Sequence, residues 1–227
     1  MAKRMGRALL SAIKKEEGPL AISKESVLGN LHRRRVLQYL CLHPCGAIGE
    51  IARALGVSPA TVRFHAQRLA ASEYLIPAGS SFLPADLVPR EDAPLFEALG
   101  AAATRRVLAA AYANTGLTVG ELAETAKMSR QAVADLLDSF ESLGLVSRVA
   151  DGRFVRVYPS RALEARRDGT RARRKQFCES LVRRLKMEGE APMILRRTDT
   201  ELQVRFGRGA GKATLELSLE PYSALLM

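Results

Sequence analysis

Arginine, glutamine and threonine side chains recur at helical spacing between Ser58 and Arg68. Ser58 followed by Pro59 is typical of a helix start, because serine caps free backbone N–H groups and proline fits the first helical position. The outward positions of such a helix are Ala60, Thr61, Arg63, Phe64, Gln67 and Arg68. Arginine can pair with guanine or phosphate, glutamine with adenine, and a threonine methyl with thymine. These residues predict a helix that reads the major groove of duplex DNA, with Ser58 at its start.

The same sequence pattern occurs again 71 residues further along the chain. Arg34-Arg35-Val36-Leu37 matches Arg105-Arg106-Val107-Leu108 at that offset. Gly49-Glu50-Ile51-Ala52 matches Gly120-Glu121-Leu122-Ala123 at the same offset. Self-similarity at a fixed spacing without gaps indicates one folding unit that is built twice.

Each repeat predicts a helix, a short helix, a turn, a serine-capped helix and a strand pair. The elements predicted for the first repeat are helices at 32–42, at 47–55 and from 58, and strands at 74–76 and 82–83. Those predicted for the second are helices at 99–113, 119–125 and 129–143, and strands at 145–149 and 153–158. Thr118 is expected to cap the second of these helices, and Asp151-Gly152 marks a hairpin turn at 150–152 between the strands. This is the order of a winged helix-turn-helix, whose third helix is shaped to lie in the major groove.

The segment from Gly49 to Ile76, GEIARALGVSPATVRFHAQRLAASEYLI, resembles the bacterial and archaeal winged-helix regulators of the ArsR and MarR type. The matching positions are Glu50, Ala52, Ser58, Val62, His65, Leu69 and Leu75. The resemblance covers both repeats but not the C-terminal third. It implies a role in transcription regulation with duplex DNA as the partner, although winged helices also serve as protein-interaction modules. The family's glycine before the last strand is Glu73 in the first repeat and Gly144 in the second.

The third helix of the second repeat differs in charge from that of the first. It starts with Arg130 and Gln131, and three acidic residues follow, Asp135, Asp138 and Glu141. Carboxylates are repelled by phosphates and reduce the gain from counterion release. The second repeat is therefore expected to bind DNA more weakly, mainly through its wing, or to act as a docking and dimer surface. Three arginines on that wing are suited to clamp phosphates, namely Arg148, Arg153 and Arg156.

The overall composition favours a polyanionic partner. The chain of 227 residues has a net charge of +11, from 35 basic and 24 acidic side chains. Residues 31–90 carry +4, residues 91–160 carry −2, and residues 161–190 carry +5. An aromatic content of 5% without tryptophan argues against a base-stacking platform for single strands. Three cysteines and the absence of a long apolar stretch favour a cytoplasmic, nucleoid-associated protein.

The two ends of the chain lie outside the repeats. Residues 161–190 predict a basic helix that is capped by Thr170 and ends at about Met187. Three antiparallel strands follow at 193–197, 202–206 and 213–220, and alternating leucines mark the last of them. We expect the fold to be mainly α with small β wings, and these last residues to form a small α+β domain for a homodimer or another protein partner. The predicted units are a basic arm or helix at 1–25, winged helices at 26–90 and 91–160, and the C-terminal domain at 161–227.

Other chemistries are weakly supported. Cys41, His43 and Cys45 form a C-x-H-x-C pattern without a second ligand pair at zinc spacing, so Cys41 is expected in the core. The glycine-rich loop at 207–212 joins two predicted strands, whereas a phosphate-binding P-loop leads from a strand into a helix. No catalytic triad or paired carboxylates occur, so we expect neither an enzyme nor a cofactor. Besides a regulator, the alternatives are a replication-initiation, chromosome-maintenance or general transcription factor, and a pure protein scaffold.

Overall fold

The computed structural model describes residues 26–207 and 212–226 of the chain. The predicted N-terminal arm at 1–25 and most of the predicted glycine-rich loop at 207–212 lie outside the described residues. The described residues form helices and short antiparallel strands. None of their helices combines the length and the hydrophobicity that crossing a membrane requires.

The first repeat consists of three helices and a hairpin. These elements are α1 (Leu31–Leu42), α2 (Ile48–Leu55), α3 (Pro59–Ala71), β1 (Leu75–Ala78) and β2 (Ser81–Pro84). Gly56 ends α2 in the left-handed conformation with φ 66°, which glycine adopts at little cost. The Ser58 side chain then accepts a hydrogen bond from the Thr61 backbone N–H at 3.1 Å and so caps α3. The elements and the cap predicted from the sequence are confirmed here.

The second repeat has the same succession of elements, with a short extra helix before it and a two-residue strand after its first helix. They are α4 (Ala93–Ala98), α5 (Ala102–Ala113), β3 (Leu117–Thr118), α6 (Val119–Ala126), α7 (Arg130–Ser142), β4 (Val146–Asp151) and β5 (Phe154–Pro159). Thr118 caps α6 through a reciprocal capping box with Glu121, and Ser129 caps α7.

Two predicted boundaries in the second repeat are wrong. The helix predicted at 99–113 starts only at Ala102, because Gly100 lies against the chain near Cys45, where a Cβ atom would come within 3.0 Å of the Cys45 carbonyl oxygen. The hairpin turn is also shifted by one residue. Asp151 pairs with Phe154, so that Gly152, with φ 57°, takes the first turn position.

The C-terminal residues form two helices and a three-stranded antiparallel sheet. These elements are α8 (Ala162–Gly169), α9 (Arg171–Met187), β6 (Met193–Arg197), β7 (Glu201–Phe206) and β8 (Ala213–Ser218), with β7 in the middle of the sheet. The three predicted strands are confirmed. The predicted cap at Thr170 is wrong, because its hydroxyl donates to the Arg167 carbonyl at 2.7 Å and its backbone stays helical between α8 and α9.

One hydrophobic core, from Leu28 to Leu225, joins both repeats and the C-terminal region, and β6 contributes no side chain to it. The Glu188 carboxylate, just after α9, accepts hydrogen bonds from the Tyr74 hydroxyl at 2.8 Å and from the Ser26 hydroxyl at 2.9 Å. Arg184 of α9 forms an ion pair of 2.8 Å with Asp86, which follows β2. The C-terminal region therefore packs directly against the first repeat. The domain boundaries at 90 and 160 remain predictions.

Candidate nucleic-acid interface

Helix α3 turns one face into the core and the other to solvent. Val62, Ala66 and Leu69 are fully buried, as their spacing predicts. The side chains on the opposite face are exposed, namely Ala60, Arg63, Phe64, Gln67 and Arg68. Thr61 is half-buried, and its hydroxyl lies 2.8 Å from that of Ser58. The structure thus brings together on one surface all the residues predicted for the first repeat.

The cations on this face have no acidic partner within the residues that the structure describes. Neither Arg63 nor Arg68 forms an ion pair there, and the guanidinium carbon of Arg68 lies 5.6 Å from the centre of the Phe64 ring. Phe64 is 53% exposed, which is unusual for so large an apolar side chain. An exposed cation without a neighbouring carboxylate keeps its full charge available for a phosphate or a base edge.

A cluster of basic side chains lies behind α3 at the start of α1, and the sequence interpretation missed it. The His65 ring on α3 stacks on the His32 ring on α1, with 5.5 Å between the ring centres. Burial lowers the pKa of His65, and the nearby His32 and Arg33 lower it further. His65 is only 8% exposed, so its ring is packed. The run His32-Arg33-Arg34-Arg35 at a helix start was the signal that could have indicated this cluster.

On α7, the corresponding helix of the second repeat, the predicted contact residues are already engaged. The Gln131 amide donates to Asp135 at 2.8 Å. Arg148 of the wing forms ion pairs with Asp138 at 2.7 Å and Glu141 at 2.5 Å. Hydrogen bonds from the Arg148 side chain and backbone hold the pKa of Glu141 below its usual range. The acidic side of α7 therefore neutralises the wing arginine beside it.

The remaining arginines of the second repeat have different environments. Arg156 pairs with Asp151 at 2.5 Å and donates to the Gly116 carbonyl at 2.9 Å. Arg153, at the exposed tip of the hairpin, lies with its guanidinium carbon 4.9 Å from the centre of the Phe154 ring. Arg130 is exposed at the start of α7. Two of the three arginines predicted to clamp phosphates are thus bound by carboxylates of this chain.

The wing of the second repeat also exposes apolar side chains. Val149, Phe154, Val155 and Tyr158 of β4 and β5 are each between 38% and 50% exposed. Val149, Phe154 and Tyr158 share one face of the hairpin, and Val155 lies on the other. Exposed apolar side chains on one face are more typical of a protein-docking surface than of a phosphate contact.

The cysteine pattern near the end of α1 is part of the core. Cys41 and Cys45 are both buried, as predicted for Cys41. Burial raises the pKa of the Cys45 thiol to about 12 and also raises the pKa of Cys41, so both thiols stay protonated at neutral pH. Within residues 26–207 and 212–226, no three potential ligand side chains are grouped so as to hold a metal ion.

Three helices followed by a β hairpin define a winged helix-turn-helix. Residues 102–153, which run from α5 into the wing, match the model of the MarR family. A solved MarR family transcriptional regulator from Silicibacter pomeroyi is 29% identical over 43% of this chain and 64% of its own, with a TM-score of 0.29.

A second solved MarR family transcriptional regulator, from Silicibacter pomeroyi DSS-3, is 32% identical over 36% of this chain and 62% of its own, with a TM-score of 0.25. The chain thus spans just under two thirds of the length of these two regulators. None of the curated proteins matches the chain.

Proposed function

We propose that this protein is a sequence-specific regulator of transcription that binds duplex DNA, with α3 of the first repeat in the major groove. The observation that carries the proposal is the solvent face of α3, where Arg63, Gln67 and Arg68 are exposed and the two arginines have no carboxylate partner among the described residues. In this assignment Arg63 and Gln67 contact bases, and Ser58, Ala60, Thr61, Phe64 and Arg68 complete the contact surface. The +4 charge of residues 31–90 supports the same assignment.

The two repeats are proposed to be tandem winged helices with unequal roles. The MarR family match falls on the second repeat, and it supports the fold of that repeat rather than its use of α7. Carboxylates already bind Gln131, Arg148 and Arg156 there, so DNA contacts of the second repeat are assigned to Arg130 and Arg153. Separating Arg148 from Asp138 and Glu141 would expose two carboxylates to the phosphates, which opposes binding.

Salt dependence of binding tests whether the partner is duplex DNA. If about four phosphates are neutralised, the logarithm of the binding constant falls with the logarithm of the salt concentration at a slope of roughly −3.6. Selection of bound sites from random duplexes then provides the specific sequence. A flat salt response, or no binding at low salt, would contradict the proposal.

Two matched alanine variants test the assignment to α3. Arg63→Ala should weaken specific binding by about 1–3 kcal/mol and relax sequence preference. The control, Arg106→Ala, removes an exposed arginine from α5 and should leave binding unchanged. If Arg63→Ala weakens specific and random duplexes equally, Arg63 contacts a phosphate and does not read a base.

A second candidate function is a replication-initiation, chromosome-maintenance or general transcription factor. The exposed apolar wing of the second repeat favours it, because such a factor docks on protein as well as DNA. Genome-wide occupancy distinguishes the two functions. A regulator occupies a small set of promoters, whereas the second candidate occupies origins or most promoters.

A further inference from the structure

Strand β6 is an open edge of the C-terminal sheet. It pairs with β7 on one side, and no other described strand pairs with its second side. All five of its side chains are exposed, including Met193 at 60%, Ile194 at 45% and Leu195 at 37%. Met187, at the end of the neighbouring helix α9, is 81% exposed. An apolar edge strand offers unpaired backbone groups together with an apolar surface, which makes it a template for another strand.

The charges around β6 are arranged so that the strand is complementary to itself. The acidic residue Glu190 precedes the apolar centre, and the basic residues Arg196 and Arg197 follow it. Antiparallel pairing of two copies about a two-fold axis at Met193, with Leu195 left out of the pairing as the bulge residue, sets Glu190 of each copy opposite Arg197 of the other. Parallel pairing would instead set arginine beside arginine. The charge pattern therefore favours a second copy of this chain in the antiparallel arrangement.

We propose that two copies of this chain associate through antiparallel pairing of their β6 strands, which joins the two three-stranded sheets into one of six strands. Beside β6 lies a groove of about 260 Å³ against α9, lined by Cys178, Glu179, Val182, Arg183, Lys186, Ile194 and Arg197. Its three cations outnumber its one carboxylate, that of Glu179, and receive Glu190 of the second copy. The bulge between Ile194 and Arg196 bends the end of β6, so the pairing centres on its first residues.

This interface shares no residue with the DNA surface proposed on α3, so an experiment can contradict one proposal without contradicting the other. Strand pairing by itself covers a small area, and the exposed apolar side chain of Met187 extends it. Two-fold association also suits a regulator, because it presents one α3 helix from each copy to the two halves of a palindromic DNA site.

Sedimentation equilibrium of the full chain tests the proposal. The wild type should sediment as a dimer at micromolar concentration, and Met193→Lys should weaken the dimer at least tenfold, because it places two like charges across the two-fold axis. Leu31→Lys, at an exposed apolar position at the start of α1, is the matched control and should leave the dimer unchanged. A monomeric wild type, or a dimer that Met193→Lys does not weaken, would overturn the proposal.

Charge exchange tests the antiparallel arrangement itself. Glu190→Lys and Arg197→Glu should each weaken the dimer, and the double variant should restore it, since every pair then has opposite charges again. Circular dichroism should show the same helix content in all variants. A double variant that stays as weak as the single ones, with its fold intact, would rule out the proposed pairing of Glu190 with Arg197.

Discussion

The guanidinium groups of Arg34 and Arg105 bind the backbone in the same way in the two repeats. The four bonds join Nη1 of Arg34 to the carbonyls of Leu28 (2.8 Å) and Gly29 (2.7 Å), and Nη1 of Arg105 to those of Leu99 (3.0 Å) and Gly100 (2.9 Å). Each residue that takes part in the two bonds of Arg34 lies 71 positions before the corresponding residue in the bonds of Arg105. The sequence repeat is thus reproduced in the hydrogen bonds that fix the segment before each first helix.

Arg105→Ala should strongly destabilise the protein. Arg105 is 8% exposed, and it also lies 3.7 Å from Glu50 of the first repeat, which accepts a hydrogen bond from the Ala102 N–H. Removal of the Arg105 side chain takes away the hydrogen-bond donor to two buried carbonyls and the ion-pair partner of Glu50. We expect the free energy of unfolding to fall by about 3 kcal/mol. The neighbouring variant Arg106→Ala, at an exposed position, should change it by less than about 0.5 kcal/mol. Urea denaturation of both variants measures the difference.

Glu73→Gly should stabilise the protein, whereas Gly144→Ala should destabilise it. The two residues occupy the same place in the repeats, after the third helix, and both have a left-handed backbone, with φ 61° at Glu73 and 68° at Gly144. That conformation costs a residue with a Cβ atom about 1–2 kcal/mol, whereas glycine adopts it freely. Because glycine also gains entropy in the unfolded chain, the expected gain for Glu73→Gly is about 1 kcal/mol or less. Thermal unfolding of both variants at one pH measures the change in melting temperature relative to the wild type. The prediction requires an increase for Glu73→Gly and a decrease for Gly144→Ala.

Stability should fall as the pH decreases from 7 to 5, in part because of His65. Burial, His32 and Arg33 place the pKa of His65 below its ordinary value of 6.5. The unfolded chain therefore takes up this proton at a higher pH than the folded chain does. The stabilisation is complete above pH 6.5 and is lost as the pH falls through 6.5 towards the lowered pKa.

The variant His65→Gln tests this pH dependence. Its melting temperature should change less between pH 7 and pH 5 than that of the wild type. Burial also lowers the pKa of His43, so His43 adds to the pH dependence of the melting temperature in both proteins. The informative quantity is therefore the difference in pH dependence between the two proteins. Identical slopes would show that His65 takes up its proton equally well in the folded and unfolded chains.

Opposite charge changes in α3 and α7 should have opposite effects on DNA binding. Reversal of Arg63 and Arg68 to glutamate should abolish specific binding, because a carboxylate about 4 Å from a phosphate costs on the order of 4 kcal/mol before screening. Asp135→Asn together with Asp138→Asn removes two repulsive charges and releases Arg148 from one of its two acidic partners. That variant should bind DNA as tightly as the wild type or more tightly, with less selectivity. Footprinting measures both.

The opposite result would show that the helix that contacts specific bases belongs to the second repeat. A footprint that survives the Arg63 and Arg68 changes, but disappears with the two aspartate changes, would show that α7 makes the specific contacts. The family match on residues 102–153 makes this comparison informative, because it falls on the repeat to which we assign the weaker role.

The order of elements could be predicted from the sequence because local signals specify it. Ser58, Ser129 and Thr118 cap their helices as predicted, and alternation of leucines predicted the last strand. The start of α5 could not be predicted in this way. Residues 99–101 include Gly100, a poor helix former, and its contact with the chain near Cys45 joins segments that are distant in sequence.

The sequence predicted which residues of α3 face outward, but it did not predict which charged residues form ion pairs. The outward positions of α3 follow from helical spacing alone. The pairing of Arg148 with Asp138 and Glu141 depends on how the wing folds back on α7, which spacing along the chain does not reveal. The stack of His32 on His65 was missed for the same reason, since it joins two helices that are distant in sequence.

The hydrogen bond from Tyr74 to Glu188 has a consequence for the synthesis of the protein. The two residues are 114 positions apart, and Leu219 and Leu225 enter the same core still later in the chain. A nascent chain that has just completed the first repeat therefore lacks part of the surface against which that repeat packs. The first repeat should reach its final stability only when the C-terminal residues have left the ribosome. Until then the core of the first repeat is partly exposed, and the chain stays soluble only if chaperones bind it or aggregation is slow.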